Sequence, residues 1–302
     1  MPATLIVLNP HAAGGRAGQV WLALEPYLWQ ELGELIVTVT DRPEDVAAQL
    51  DKARDAGISR VISVGGDGTN HALVNALIAH NAHTPGLEPM VYGNLPVGTG
   101  RDWARGIGLP YNDPQAAARQ IAHAPLRPLD IGQISSENGE DYFLNIASVG
   151  MSSRAVEKVE AVKRRRRWTF LKATLETVLE LPTRAVEVTL DGQPWYDGRT
   201  SLLVVANGTT FGHGLKVAPN ARMDDGLLDV LVVRDVSRWT VLAALKSVYA
   251  GKHLTNPAIR YTQARTVHVY APGGVGLEMD GEPAHGERMT FSLRPGALQV
   301  LA

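Results

Sequence analysis

Residues 60–71 read R-V-I-S-V-G-G-D-G-T-N-H, and this stretch decides the fold of the first half of the chain. Its β-branched start, residues 61–64, is typical of a buried strand. Residues 65–68, G-G-D-G, predict a turn in which glycine permits positive φ and lets the backbone approach a ligand closely. Thr69 or Asn70 is then expected to cap a following helix. Strand, glycine-rich turn and helix N-terminus together indicate a phosphate-binding arrangement.

Asp67 is the unusual member of this turn. A carboxylate repels phosphate unless a cation lies between the two groups, so we interpret Asp67 as a contact to a nucleotide through Mg²⁺. A tight turn with a solvent-exposed aspartate is the alternative that this stretch alone leaves open.

Composition limits the kind of protein. With 302 residues the chain is long enough for two domains, each with its own core. A net charge of −2 argues against a general nucleic-acid partner, and the absence of cysteine excludes disulfides, thiol nucleophiles and Cys-ligated metals. The N-terminus lacks the pattern of a signal peptide, and no apolar run is long enough to span a bilayer. We therefore expect a soluble, cytoplasmic protein that can still contact the inner face of the membrane.

Three polar, glycine-containing loops follow predicted strands in the first 125 or so residues. Strands and helices alternate there, which predicts a doubly wound parallel sheet covered by helices. The loops are residues 9–16, 65–70 and 98–102. Because ligands bind beyond the carboxyl ends of such strands, the three loops together predict a nucleotide site.

The pattern changes after residues 125–128, P-L-R-P, to mainly short strands. Their spacing predicts an antiparallel sandwich or barrel, with helices over about residues 152–181 and 237–249. We therefore divide the chain into an α/β nucleotide-binding domain, residues 1–126, and a β-rich substrate domain, residues 127–302.

Two motifs in the second half carry acidic residues. Residues 219–229 read P-N-A-R-M-D-D-G-L-L-D, and residues 277–283 read L-E-M-D-G-E-P. If the second segment is extended, Asp280 and Glu282 face the same side of a strand, as paired carboxylates for general-base or metal chemistry would require. Ordinary β-turns containing Asp and Gly are the alternative for both motifs.

Five motifs together resemble one family. In chain order they are N-P-H-A-A-G-G, G-G-D-G-T, L-P-V-G-T-G-R-D-W-A-R, D-G-L-L-D-V and D-G-E-P. Their order and spacing are similar to those of the diacylglycerol kinase catalytic-domain family, most closely its soluble bacterial lipid kinases. G-G-D-G-T alone is shared with NAD kinases and phosphofructokinases, whereas the five motifs together are specific, and they cover nearly the whole chain.

The resemblance implies a fold and a nucleotide site. The fold would be NAD kinase- and diacylglycerol kinase-like: an N-terminal α/β domain and a C-terminal antiparallel β-sandwich, with ATP at their interface and the last segment able to pack back on the first domain. The candidate nucleotide-binding residues, implied by the resemblance or placed in the three loops, are Asn9, Gly65, Gly66, Asp67, Gly68, Thr69, Gly98, Thr99, Arg101 and Asp102.

The resemblance also implies catalytic and metal-binding roles. Asp67 would bind phosphate through Mg²⁺, Asp280 would take the proton of the lipid hydroxyl, and Glu282 would be a metal or orienting partner. A structural Mg²⁺ would be held by three ligands: the Asp225 carboxylate and the backbone carbonyls of Arg222 and Leu227.

Position 101 departs from the family pattern, which usually has Asn where this chain has Arg. The Arg101 guanidinium could contact a nucleotide phosphate directly, or it could pair with Asp102 and distort the loop. The sequence leaves both interpretations open.

The predicted function is that of an ATP- and Mg²⁺-dependent kinase of a lipid hydroxyl, most simply that of diacylglycerol. A kinase of a soluble acceptor such as NAD, and a nucleotide or lipid sensor without turnover, are the alternatives. The basic run from Lys163 to Arg167, followed by Trp168, predicts peripheral contact with anionic headgroups, with a solvated helix face as the alternative. A homodimer is compatible with the sequence.

Overall fold

The computed structural model describes residues 3–40, 45–84, 88–160 and 169–302. The chain forms two compact units, Met1–Leu129 together with Gly296–Ala302, and Asp130–Pro295. The basic run from Lys163 to Arg167 lies outside the described residues. None of the helices within the described ranges is long and apolar enough to cross a membrane.

The first unit contains a parallel sheet. Its elements are β1 (Thr4–Leu8), α1 (Arg16–Leu32), β2 (Leu35–Val39), α2 (Asp45–Asp55), β3 (Arg60–Gly65), α3 (Asp67–His83), β4 (Val91–Pro96), α4 (Asp102–Gly106) and α5 (Pro114–His123). The strands pair in the order β2-β1-β3-β4, all parallel. The five residues of β1 are all buried, as expected for a strand covered on both faces. On α1, Trp21, Leu24 and Leu28 recur at helical spacing and are also buried.

The helix after the glycine-rich turn begins earlier than the sequence indicated. Its first residue is Asp67, and Gly66 stands at the N-cap position in an extended conformation without a side-chain cap hydrogen bond. The prediction that Thr69 or Asn70 caps this helix is therefore wrong. The chain enters the helix directly from the glycine turn, and Asn70 is a buried residue inside the helix.

The second unit is mainly antiparallel. Its elements, from the segment that leads into it, are β5 (Leu126–Ser136), β6 (Gly139–Phe143), β7 (Ile146–Gly150), α6 (Met151–Glu160), α7 (Thr169–Glu180), β8 (Arg184–Leu190), β9 (Gln193–Ala206), β10 (Leu228–Arg234), α8 (Arg238–Tyr249), β11 (Ile259–Ala264), β12 (Thr266–Met279) and β13 (Glu282–Leu301). Successive neighbours in the series β11-β10-β9-β7-β12-β13 pair antiparallel. The end of β13 returns to the first unit, where Val300 pairs with Tyr92 of β4 in parallel.

Alternation along the strands builds two apolar layers in this unit. Leu203 and Val205 of β9 face one core, which includes Phe143 and Phe291, while Val204 faces a second, smaller core. This is the period-two pattern of a sheet covered on both sides. The chain breaks between β6 and β7 at Leu144 and Asn145.

Candidate active site

The glycines of two loops in the first unit allow the loops to touch. A β-carbon on Gly98 would lie 2.4 Å from the Cα of Gly66, and the Gly98 N–H donates to the Gly65 carbonyl over 3.0 Å. A β-carbon on Gly100 would lie 2.1 Å from Oδ2 of Asp67. Side chains at these positions would force the loops apart, so glycine is needed for the close approach of backbone to backbone. The loops after β3 and β4 thus form one surface.

Asp67 is oriented by the second of these loops. Its Oδ2 accepts the backbone N–H of Arg101 over 3.0 Å, and it stands in the first turn of α3, where the helix dipole stabilises a negative charge. Gly68 and Thr69 follow in the same turn, whose backbone N–H groups lack acceptors within the helix. The carboxylate is the type of hard oxygen ligand that Mg²⁺ prefers, so its chemistry fits the predicted role.

The loop after β1 is joined to the same surface through Asn9. Its Nδ2 donates to Oγ1 of Thr69 over 3.4 Å, and its backbone N–H donates to the Val64 carbonyl over 3.0 Å. Asn9 Oδ1 accepts the N–H of His11, which closes the turn after the strand. Within the first unit, the structure therefore brings together the three loops that the sequence singled out.

Beneath this surface lies a buried polar network that sequence reasoning missed. Oδ1 of Asn70 accepts hydrogen bonds from Ser63 Oγ at 2.7 Å, Tyr92 Oη at 3.0 Å and Asn94 Nδ2 at 2.8 Å. Burial raises the pKa of the Tyr92 hydroxyl, which therefore stays a donor at ordinary pH. The signal was present in the sequence, because Ser63 and Asn94 are polar residues in otherwise apolar strands. The network fixes α3 to β3 and β4.

Arginine side chains surround the third loop. Arg101 has a left-handed backbone, φ 60°, and its Nη1 donates to the Tyr111 carbonyl over 2.6 Å. Arg105 Nη1 donates to the Gly100 carbonyl and to Asp102 Oδ1, each over 2.7 Å. Burial and then the charges of Arg105 and Arg16 lower the pKa of Arg101, because these cations lie close to its guanidinium.

Asp102 and Thr99 differ in their surroundings. Asp102 is buried and forms an ion pair with Arg105. Through this ion pair, Asp102 can fix the conformation of the loop after β4. Thr99 is exposed on the same loop, where its hydroxyl can contact a ligand.

In the second unit, the D-G-E-P motif forms a hairpin turn. Met279 pairs with Glu282, and the two residues between them have φ 52° at Asp280 and 94° at Gly281. Positive φ at both central positions defines a type I′ turn, for which Asp-Gly is a favoured pair. The segment is therefore not extended through Asp280, and the β-turn that the sequence left open as the alternative is the observed conformation. Asp280 stands at the turn itself, whereas Glu282 is the first residue of β13.

The Asp280 carboxylate is held by backbone amides. Its Oδ2 accepts the N–H of Leu144 at 2.6 Å, and its Oδ1 accepts those of Asn145 and Ile146, both at 3.0 Å. The Asp280 N–H in turn donates to the Ile146 carbonyl at 3.0 Å. The break between β6 and β7 thus supplies the donors that orient this carboxylate.

A second carboxylate near this hairpin was missed by the sequence reasoning. Glu278 is 2 % exposed; its Oε1 accepts the Ser148 hydroxyl, and its Oε2 accepts the Gly281 N–H at 2.9 Å. Ser148 also hydrogen-bonds to Ser152 at 2.6 Å. The buried acidic partner of the turn is therefore Glu278, while Glu282 is only half-buried.

The predicted structural-metal ligands occur in one loop before β10. Asp225 Oδ1 accepts the Leu227 N–H at 3.0 Å, and the preceding amide, that of Gly226, donates to Oδ2 of Asp130 at 2.8 Å. Carboxylate and carbonyl oxygens suit Mg²⁺, so the donor set of Asp225, Arg222 and Leu227 fits chemically. Over the described part of the chain, no three His, Cys, Asp or Glu side chains converge, so such a site would depend on backbone carbonyls and water. Asp130, which ties down this loop, was not predicted.

Asp229 follows this loop on β10 and is 1 % exposed. It accepts hydrogen bonds from the Tyr261 hydroxyl and, at 3.0 Å, from Gln263 Nε2, both on β11. Burial raises the pKa of Asp229, and burial together with Asp229 raises the pKa of Tyr261 to about 12. These hydrogen bonds connect the last residue of the 219–229 motif to β11, a strand that was not predicted from the sequence.

Two family models match adjoining parts of the chain. The diacylglycerol kinase catalytic domain matches residues 3–134, and the YegS C-terminal NAD kinase beta sandwich-like domain matches residues 145–302. These matches define the class as a lipid kinase with an N-terminal catalytic domain and a C-terminal β-sandwich, which confirms the predicted fold. The chain belongs to the diacylglycerol kinase family, among the YegS-like lipid kinases.

Relatives agree with this assignment. The chain is 32% identical to the diacylglycerol kinase of Mycobacterium tuberculosis (strain CDC 1551 / Oshkosh), over 85% of this chain and 79% of that protein. It is 30% identical to the probable lipid kinase YegS of Escherichia fergusonii, over 99% and 95% of the two chains.

Solved structures show the same fold. A crystal structure of a Bacillus anthracis protein assigned as a diacylglycerol kinase superposes with a TM-score of 0.79 and 26% identity, covering 99% of this chain and 96% of that one. An NAD kinase from Archaeoglobus fulgidus, at 12% identity and a TM-score of 0.50, over 99% of this chain and 92% of that one, shares the fold alone. Family membership therefore favours a lipid kinase over the kinase of a soluble acceptor and over the sensor.

Proposed function

We propose that this lipid kinase transfers the γ-phosphoryl group of ATP to a hydroxyl of diacylglycerol and so forms phosphatidic acid. The acceptor oxygen bonds to the γ-phosphorus, the bond from that phosphorus to the β–γ bridging oxygen breaks, and ADP leaves. Phosphoryl transfer depends mainly on positioning and on neutralising charge, because its transition state needs little covalent help. The chain is therefore expected to promote the transfer with groups that hold the phosphates and orient the acceptor hydroxyl.

The loops of the first unit are proposed to hold the phosphates. The first turn of α3 offers backbone donors at Gly68 and Thr69 and a helix dipole that favours anions. Arg101 and Arg105 add positive charge beside the same loops. When bound, Mg²⁺ would offset the negative charge of the phosphates. Asp67 would hold that ion, and the Asp225 loop would hold a structural one.

The observation that carries the proposal is the fixed orientation of the Asp280 carboxylate. Three backbone amides determine where its oxygens point, so the group can accept a proton from the acceptor hydroxyl without first being ordered. Glu282 is proposed as its metal or orienting partner.

The test is a phosphorylation screen with labelled ATP. Diacylglycerol in mixed micelles is compared with NAD and with phosphatidylglycerol, ceramide-like and undecaprenol-like lipids, and each product is identified. Labelled phosphatidic acid supports the proposal. Labelling of another lipid in place of diacylglycerol would overturn the substrate assignment, and labelling of NAD alone would overturn the lipid acceptor.

Two variants test the base. Asp280→Ala should lose turnover and still bind ATP, because the proposed phosphate-binding residues belong to the first unit. Asp280→Asn keeps an acceptor oxygen for Asn145 and Ile146, so it separates loss of the base from loss of the fold. Full activity in either folded variant would contradict the role of Asp280.

A further inference from the structure

Helix α8 carries many apolar residues and buries none of them fully. Its sequence is R-W-T-V-L-A-A-L-K-S-V-Y, and every side chain remains at least partly accessible. Trp239 is 66% exposed, the second most exposed large apolar side chain among the described residues. Surface helices normally direct such residues toward a core. Val248 does pack against the smaller core of the second unit, but Trp239 projects away from it.

The neighbouring helix extends the same exposed surface. Arg238 Nη1 donates to the Leu179 carbonyl over 3.2 Å, which places the start of α8 beside the end of α7. Leu175 and Leu179, one helical turn apart on α7, are 36% and 46% exposed. We call Leu175, Leu179, Arg238, Trp239 and Lys246 the α7–α8 patch. It combines exposed apolar side chains with cations on two neighbouring helices, and exposed apolar side chains grouped in this way indicate an interaction site.

The charges around the patch favour an anionic partner. The two carboxylates near the end of α7 have cationic partners, Glu176 with Lys172 at 3.7 Å and Glu180 with Lys158 at 2.6 Å. Arg238 and Lys246 add positive charge on α8. The local balance is therefore basic, although the whole chain carries a net charge of −2.

Trp239 has the features of an interfacial side chain. The guanidinium of Arg238 lies 5.7 Å from its ring, so an apolar ring and a cation occupy the same position on the surface. Tryptophan is favoured at bilayer surfaces because its ring is apolar and its N–H can stay hydrated. Lys246, two turns further along α8, can extend its charge toward headgroups.

We propose that the α7–α8 patch docks on an anionic bilayer surface, with Trp239 entering the headgroup region. The proposal rests on the proposed function in one respect, that a lipid acceptor resides in a bilayer. A second copy of the chain fits less well. A two-fold dimer would place this basic surface against itself, and the like charges would repel.

The test measures binding to vesicles that contain phosphatidylcholine and phosphatidylglycerol, without diacylglycerol or ATP. Trp239→Ser should lower partitioning about ten-fold, as expected for losing the burial of one large apolar side chain. Trp29→Ser is the matched control, because Trp29 is 62% exposed on α1 of the first unit. This control should bind vesicles as the wild type does. Quenching of tryptophan fluorescence by brominated lipid should fall in Trp239→Ser and persist in Trp29→Ser.

Each contrary outcome is distinct. Equal partitioning of Trp239→Ser and wild type, or no binding by the wild type, would overturn the docking proposal. Loss of a wild-type dimer in Trp239→Ser, with vesicle binding unchanged, would assign the patch to self-association and also overturn it. Activity of Trp239→Ser on detergent-dispersed lipid should match the wild type. Absence of lipid phosphorylation by the wild type in detergent would instead count against the proposed function.

Discussion

A β-carbon on Gly98 would lie 2.4 Å from the Cα of Gly66, so two backbone segments in the first unit meet where no side chain can fit. The Gly98 N–H and the Gly65 carbonyl hold this contact at 3.0 Å. The requirement at Gly98 is steric. The neighbouring atom belongs to backbone, and backbone cannot rotate away as a long side chain can.

Gly98→Ala should therefore destabilise the protein by about 1–3 kcal/mol and raise the KM for ATP, because the loops must separate. Denaturant unfolding and ATP kinetics measure the two effects. Gly18→Ala is the matched control, since its nearest neighbour would be Pro10 Cβ at 3.4 Å and alanine is favoured within α1 by about 1 kcal/mol. A Gly98→Ala protein with the stability and ATP KM of the wild type would contradict this account.

Arg101→Asn introduces the residue that the diacylglycerol kinase family usually has at this position. The substitution should weaken ATP binding and leave the stability of the fold nearly unchanged. Asparagine tolerates the left-handed backbone at φ 60° better than arginine does, but the substitution removes the hydrogen bond to the Tyr111 carbonyl. These effects oppose each other, so the free energy of unfolding should change by no more than about 1 kcal/mol. The KM for ATP should rise several-fold, because positive charge is lost beside the phosphate-binding loops. An unchanged KM would show that Arg101 does not contact the nucleotide.

The sequence predicted that the three loops of the first unit lie together because their signals are local. Strand, glycine turn and helix lie within about a dozen residues, and parallel strands bring their carboxyl ends to one edge of the sheet. The hydrogen-bond partners of Asn70 could not be predicted in the same way, because Ser63, Tyr92 and Asn94 lie on other elements. A polar residue in a strand indicates that it needs a partner but not which residue that partner is.

The second half shows the same division between local and distant signals. Asp-Gly between two strands is a hairpin signal, and it accounts for the β-turn at Asp280 that the sequence left open as an alternative. Nothing local shows that Asp280 accepts amides from residues 144–146, more than 130 positions earlier. Nothing in the local sequence distinguishes Glu278 from an ordinary strand residue, because its partner Ser148 lies on another strand.

Glu278→Gln and Glu282→Gln should both lower turnover but should differ in their effect on stability. Glu278 accepts a hydroxyl and a backbone N–H while buried, so a glutamine amide would leave one of these donors without an acceptor and cost about 1–3 kcal/mol of stability. Turnover should fall too, because the lost Gly281 contact loosens the turn that carries Asp280. Glu282 is half-buried, and its substitution should change stability by no more than about 0.5 kcal/mol while lowering kcat.

Both variants are measured by denaturant unfolding and by kcat. Loss of stability identifies a structural carboxylate, as expected for Glu278, and loss of kcat at unchanged stability identifies an orienting one, as expected for Glu282. Equal stability of the two variants would contradict the structural role of Glu278. Wild-type kcat in Glu282→Gln would remove Glu282 from the proposed chemistry.

Tyr261 should make stability depend on alkaline pH. Burial and the Asp229 carboxylate raise its pKa from 10.0 to about 12, so the folded state keeps a proton that the unfolded chain releases earlier. The stabilisation is complete below pH 10.0 and is lost as the pH rises toward about 12. Tyr261→Phe cannot ionise, so its stability should fall less across this window, although losing the bond to Asp229 makes it about 1–3 kcal/mol less stable at neutral pH. Denaturant unfolding at stepped pH should therefore give curves that converge above pH 10.0, and parallel curves would show that the Tyr261 proton is not held by the fold.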